Sequence, residues 1–417
     1  MSLSYSLLPL STLRSFVKTT ALCLVISLFA SSLFATSAFA QAEEKNKLSA
    51  QAQSEEVREL WDDLHKELHA LGEKWGKHHK LPPSSWLPKE TQKSNKKKID
   101  KLAARLLEGV GSSPLDKVLK ERASIVKKIT AKEKEIANLE EKSFSAPDKG
   151  GMFTKTRATY QKKITERKGE VTQLNRDLGV VMVKIRKTFE EMGLKISQNQ
   201  VNDLFVVISG DSMREFFIRF SNLRLLSEVI AHHITRSQSG KGYAGQAKRY
   251  YAIYVALVYM LMEAHQKTVQ KITDVHIPKI NSLVKNTDEQ IAQTESLMSQ
   301  PQQAVNRATF EQNLAIQKKL KAASERYKKY LQTQQQRLQK ASSDIQLRFD
   351  AVLNTYQTIS LADSLVSAIK SGVKDISDLQ SLTLPKMLPI SDDKLKDEFK
   401  LVTGKLEGDD FKQWDKR

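Results

Sequence analysis

The chain has 417 residues, with 67 lysines and arginines against 48 acidic side chains and a formal net charge of +19. There are 16 glycines, 10 prolines and a single cysteine, Cys23. That cysteine count excludes a disulfide framework, and the charge points to anionic partners rather than to acidic solubility.

The first forty residues have the three parts of an export signal. Arg14 and Lys18 form a positive start, "TALCLVISLFASSLFA" an apolar stretch, and "SAFA" before Gln41 a small-residue cleavage motif. The expectation is a cleaved signal and an exported product, periplasmic or secreted. An uncleaved inner-membrane anchor is the alternative, because the apolar stretch approaches the roughly 20 residues that span a bilayer. Cys23 lies inside that stretch and not at the cleavage point, which argues against lipid anchoring. Cleavage leaves 65 basic side chains against 48 acidic and no thiol, so cysteine nucleophiles and thiolate metal sites are excluded as well. A basic exported protein is drawn to anionic lipid, envelope polymers or extracellular nucleic acid.

Residues 41–80 carry an amphipathic helix. Val57, Leu60, Trp61, Leu64, Leu68, Leu71 and Trp75 recur at threes and fours. Residues 81–98, "LPPSSWLPKETQKSNKKK", read as a Pro/Lys-rich linker. Residues 99–193 begin with a short helix, Ile99 to Val110, and continue after Ser113 and Pro114 as two long helices. Leu115, Val118, Arg122, Ile125, Ile129, Lys132, Ile136 and Leu139 make one heptad seam. Ile164, Arg167, Val171, Leu174, Leu178, Val181, Ile185, Thr188 and Met192 make the second. The turn "SFSAPDKGGMF" between them predicts an antiparallel coiled-coil hairpin.

Residues 194–270 are richer in Phe, Val, Ile and Leu and predict a compact apolar helical bundle. Capping-box patterns at Ser197/Gln200 and Ser212/Glu215 favour two helices over the β-hairpin that "LFVVI", "SGDS" and "FFIRF" also allow. Next comes "KRYYAIYVALVYMLMEAHQK". Its apolar run from Tyr250 to Met262 covers about 20 Å as a helix, short of the roughly 30 Å hydrocarbon core, and Lys248, Arg249, Glu263 and His265 flank it closely. It therefore reads as the central helix of the bundle, with the helices between Val201 and Ile234 as its partners.

Residues 271–375 predict a second long-helix coiled-coil hairpin, bent near Pro278. Its last helix, 305–373, carries a mixed seam: Phe310, Asn313, Gln317, Leu320, Ser324, Tyr327, Leu331, Gln334, Leu338, Ala341, Ile345, Arg348, Val352, Thr355 and Ile359. Residues 376–417 read as an extended segment, a short helix and a tail. The predicted fold is all-α and elongated, with antiparallel coiled-coil hairpins around a compact apolar helical bundle.

No motif makes this chain an enzyme. Gly240, Gly242 and Gly245 spell G-x-G-x-x-G, but a helix enters the motif where a dinucleotide site needs a strand. His65 and His69, with Glu67, His78 and His79 nearby, have the i,i+4 spacing of a metal pair, but spacing supplies no third ligand, and they read as interface residues. The adjacent His232 and His233 point about 100° apart on a helix. No catalytic, cofactor or metal site is assigned, and no small-molecule substrate or specific nucleic acid is expected. The informative feature is a basic face: Lys318, Lys319, Lys321, Arg326, Lys328, Lys329, Arg337 and Lys340, with Tyr327 and Tyr330 interleaved and Glu325 the one acid between Gln312 and Ser343. Such a face suits an anionic surface.

Two functional classes follow. The first is a periplasmic scaffold or adaptor of the bacterial cell envelope, docking an envelope protein, an anionic polymer or a lipid surface, with coiled-coil seams that also allow homo-oligomers. The second is a secreted membrane-active protein similar in outline to α-helical pore-forming toxins. Its apolar segment is shorter than theirs, bulky with Tyr and Met, and without their refolding glycines.

Overall fold

The computed structural model describes residues 55–86, 89–111, 115–149, 155–237, 243–361, 388–390 and 392–407, all within one compact unit, Glu55–Arg417. The expected signal segment, the Ser113–Pro114 start, Gly240, Gly242, residues 362–387 and the tail lie outside the described residues. Those that are described form helices and turns, with no strand among them: the protein is all-α.

Helix α1 (Glu55–His78) buries Val57, Leu64, Leu68, Leu71 and Trp75, the expected stripe. Helix α2 (Gln92–Gly109) starts seven residues before the expected Ile99, so the linker of 81–98 is shorter than its sequence suggests. The reason is a cap. Thr91 Oγ1 accepts from the Ser94 amide at 3.2 Å and Ser94 Oγ from the Thr91 amide at 2.9 Å, a capping box that offsets four lysines in the first two turns. Buried Asn95 then ties the start of α2 to the end of α1, donating to the Lys74 carbonyl at 2.9 Å.

Helices α3 (Leu115–Ser145) and α4 (Arg157–Glu191) lie side by side in opposite directions, as Lys184–Glu121 at 3.1 Å and Lys168–Glu140 at 3.0 Å require. The polar seam positions find one another. Lys132 meets Glu170 at 2.8 Å, and Arg167 meets Glu135 at 2.8 Å and Glu170 at 2.5 Å, a four-charge layer across the pair. Arg122 instead stacks its guanidinium 3.7 Å from the centre of the Phe205 ring, which the Arg214 guanidinium also meets at 4.3 Å.

Helix α5 (Gln198–Asp203) has the expected Ser197/Gln200 box, but the helix stops there, and 204–209 is a turn although Val201, Leu204, Phe205 and Ile208 recur at helical spacing. Tertiary hydrogen bonds replace the helical ladder: Arg214 donates to the Leu204 carbonyl at 2.9 Å, Thr403 to Val206, and the Ile208 amide donates to the Tyr327 hydroxyl. Helix α6 (Gly210–Ser237) starts two residues before the expected cap Ser212, whose hydroxyl meets His276 Nε2 at 3.4 Å. The buried polar residues of α6 terminate other helices. Asn222 donates to the Val110 carbonyl at 2.8 Å and Arg224 to that of Gly193 at 2.7 Å, where Gly193 turns the chain with φ 73°.

Helix α7 (Tyr243–Lys271) holds the long apolar run, and every residue from Tyr251 to Met262 is buried. The helices between Val201 and Ile234 supply only part of that cover. Helix α1 and helix α9 (Arg307–Leu361) close the other sides, so the N-terminal stripe belongs to the same core. Close approach is possible because Gly72 lacks a side chain: a Cβ there would collide with the Ala252 carbonyl, and one at Gly76 with the Tyr356 ring. No described helix is long and apolar enough to cross a membrane.

The expected bend before Pro278 is a π turn, Ile272–His276, leading into α8 (Ile277–Met298). Helix α8 runs antiparallel to α9, with Lys321–Asp288 at 2.7 Å and Lys318–Glu295 at 3.2 Å. In α9 the expected seam is buried at Ser324, Tyr327, Leu331, Gln334, Leu338, Ile345, Val352 and Ile359, whereas Arg348 is exposed and Thr355 half-buried, and their neighbours Phe349 and Tyr356 are buried in their place. A straight helix drifts about 20° per heptad against a 3.5 repeat, which widens the buried stripe to take in Phe349, Leu353 and Tyr356. Helix α10 (Asp393–Glu407) then docks on α9 through Phe399, Val402 and Leu406.

Candidate functional site

The eight basic residues singled out on α9 divide by what holds them. Lys318 and Lys321 are taken up by Glu295 and Asp288 on α8. Arg326 grips the buried Glu398 of α10 through two nitrogens, at 3.1 and 2.6 Å. Lys319, Lys328, Lys329 and Lys340 make no ion pair among the described residues, and Arg337 is exposed beside Tyr330. Tyr327 and Tyr330 do not belong to the surface. Tyr327 is fully buried, stacked 4.4 Å from Phe399, and Tyr330 donates to the Leu388 carbonyl at 3.1 Å. Burial and the nearby Asp203 push the Tyr330 phenol up.

What the helix adds is alignment. Arg307, Lys318, Lys329 and Lys340 recur every eleven residues, and all four are exposed. Eleven residues are about 20° more than three turns, so the four cations form a slowly winding ridge with about 16 Å between neighbours, in which Arg307 pairs with Glu311 at 3.2 Å and Lys318 with Glu295. A heptad count conceals this period.

The C-terminal segment meets a buried carboxylate at the end of α5. Asp203 accepts from the Ile390 amide at 3.0 Å and lies 4.0 Å from Lys396; burial raises its pKa, and these two partners moderate the rise.

The histidines serve structure. His65 donates from Nδ1 to the Trp61 carbonyl at 3.0 Å and stacks on that indole, and His69 lies 4.0 Å from Glu73. His233 stacks between Trp61 and Tyr250. No group of three or more metal-ligating side chains comes together among the described residues. Gly245 sits in the first turn of α7.

A second basic surface lies where the sequence predicts a linker. From Lys74 to Arg105 there are nine lysines and one arginine against two acids, Glu90 and Asp100. The signal was present in the charge count, but it becomes a surface only because α2 starts at Gln92 and Asn95 holds it against α1.

Comparison with protein-family models, curated proteins and solved structures finds no match to this chain.

Proposed function

We propose that the chain is an exported, non-enzymatic structural or adaptor protein of the bacterial cell envelope. In this reading α3–α4 and α8–α9 are antiparallel coiled-coil hairpins flanking an apolar bundle centred on α7. The exposed side of α9 then contacts an anionic envelope polymer, lipid surface or acidic partner. The observation that carries it is the exposed ridge of Arg307, Lys318, Lys329 and Lys340, of which Lys329 and Lys340, with the flanking Lys319 and Lys328, make no ion pair among the described residues. Alignment of like charges along three-turn intervals gives no packing benefit and lets several cations touch one extended anionic surface at once.

The test is binding to isolated envelope across a salt titration. Replacing Lys319, Lys328, Lys329 and Lys340 with glutamine should weaken binding by about tenfold at low salt and flatten its salt dependence. Unchanged binding would overturn the role of α9.

A further inference from the structure

The α1–α2 corner presents a cationic cluster that its own acids do not neutralise. Glu90 is drawn to Lys98 at 2.7 Å, and Asp100 to Lys96 and to the Tyr259 hydroxyl, which donates to it at 3.1 Å. Arg105 is held by Glu67 at 2.7 Å. With the acids occupied on the flanks, Lys93, Lys97 and Lys101 stand one above another at i, i+4 and i+8 on the exposed side of α2, with no ion pair among the described residues. Lys77, Lys80 and Lys89 are likewise exposed beside them. The end of α1 and the start of α2 bring these groups together: Lys98 foremost, and Lys74 and Lys77 at longer range, hold the Glu90 carboxyl below the usual carboxylate range.

This arrangement is locally unfavourable. Like charges at i,i+4 repel, and cations in the first turns oppose the helix dipole, which has no acid in the first turn to satisfy it. A folding role does not explain three such lysines.

The same corner carries the most exposed indole among the described residues. Trp86 is 93% exposed, halfway around a loop whose ends are pinned by the Gln92 amide donating to the Pro82 carbonyl at 2.9 Å. We infer that this corner binds the surface of an anionic phospholipid bilayer, Trp86 entering the head-group boundary while Lys77, Lys80, Lys89, Lys93, Lys97 and Lys101 meet the phosphate layer. Tryptophan favours that boundary because its ring is apolar and its N–H finds a partner there. Nine of the ten basic residues are lysine, which suits a diffuse layer of charge, and the one arginine, the residue favoured for forked contacts to single phosphates, is already paired. A lone indole also lacks the succession of rings that holds single-stranded nucleic acid.

The inference shares with the proposed function only the need for an anionic partner; its surface is separate from α9. The test uses the chain from Gln41, which keeps the whole compact unit from Glu55 and lacks the apolar export segment. Co-sedimentation with phosphatidylglycerol/phosphatidylcholine vesicles should exceed that with phosphatidylcholine alone. It should fall by at least about tenfold in Lys93→Gln/Lys97→Gln/Lys101→Gln, which removes repulsion from α2 and so leaves it folded. Because Cys23 is absent from this form, Trp86→Cys carries a single polarity-sensitive dye, whose emission should shift to the blue on anionic vesicles and remain unshifted with polyphosphate. Vesicle binding equal to the parent in the α2 variant, or binding to polyphosphate without vesicles, would overturn the inference. Loss only in the α9 variant would overturn it while leaving the proposed function standing.

Discussion

Tyr327 on α9 donates its phenol hydrogen to Thr403 on α10 at 2.9 Å, and Thr403 passes its own to the Val206 carbonyl at 2.7 Å. Since Tyr327 also accepts the Ile208 amide, one buried hydroxyl joins the 204–209 turn, the long basic helix and the C-terminal helix. Tyr327→Phe keeps the ring stacked on Phe399 but strands a buried amide. It should lower stability by about 1–3 kcal/mol in urea unfolding and speed proteolysis of the C-terminal segment. Unaltered stability would mean that the turn is held by other contacts.

Gly72 and the glycines of α4 should respond in opposite directions. Gly72→Ala drives a methyl into the Ala252 carbonyl and should cost roughly 2–4 kcal/mol by separating α1 from α7. Gly169 and Gly179 have nothing within 4 Å of an added Cβ, so alanine at either should stabilise by about 0.5–1 kcal/mol. Urea midpoints of the three variants measure this contrast.

Much of the fold was legible in periodicity. The stripe of α1, the two seams of α3 and α4 and the buried run of α7 stand where spacing puts them, because each pattern is local and regular. The failures are where long-range bonds or drift decide. Nothing near Leu204 foretells that Tyr327 and Thr403, over a hundred residues away, will satisfy the turn's backbone. Nor does a heptad count show that Phe349 replaces Arg348. The basic residues of α9 were readable, but which of them α8 and α10 neutralise was not, and the second basic corner was mistaken for linker because lysines mask the Thr91/Ser94 cap.

Acid and base should act on different buried groups. Burial lowers His265 and His276 to about 4, from an ordinary 6.5. Their neutral forms contribute stability that is whole above pH 6.5 and is lost as pH falls from there towards 4. Burial raises Glu228 to about 7, with Arg224 opposing it, so its contribution is whole below pH 4.5 and is lost as pH rises through 7. Glu228→Gln should therefore stabilise at pH 8 and hardly at pH 4.5, while His265→Gln should flatten the loss between pH 6.5 and 4. Chemical denaturation of both variants across pH 4–8 checks the two signs.

The four-charge layer of α3 and α4 should govern register more than stability. Lys132, Glu135, Arg167 and Glu170 are all substantially solvated, so replacing Lys132 and Arg167 with leucine should leave thermal stability equal or higher. Spin labels at positions 121 and 184 should then report a broader distance distribution, because the uniform apolar seam accepts slipped pairings. An unbroadened distribution would assign the register to the turn instead.

The central claim is that exposed basic helices of an exported protein hold an anionic envelope surface. Photo-cross-linking in intact cells from positions 329 and 340, with position 176 on α4 as control, tests it most directly. The account predicts envelope lipid, polymer or envelope protein captured from 329 and 340 and much less from 176. Capture of cytosolic proteins, or equal capture from all three positions, would contradict it.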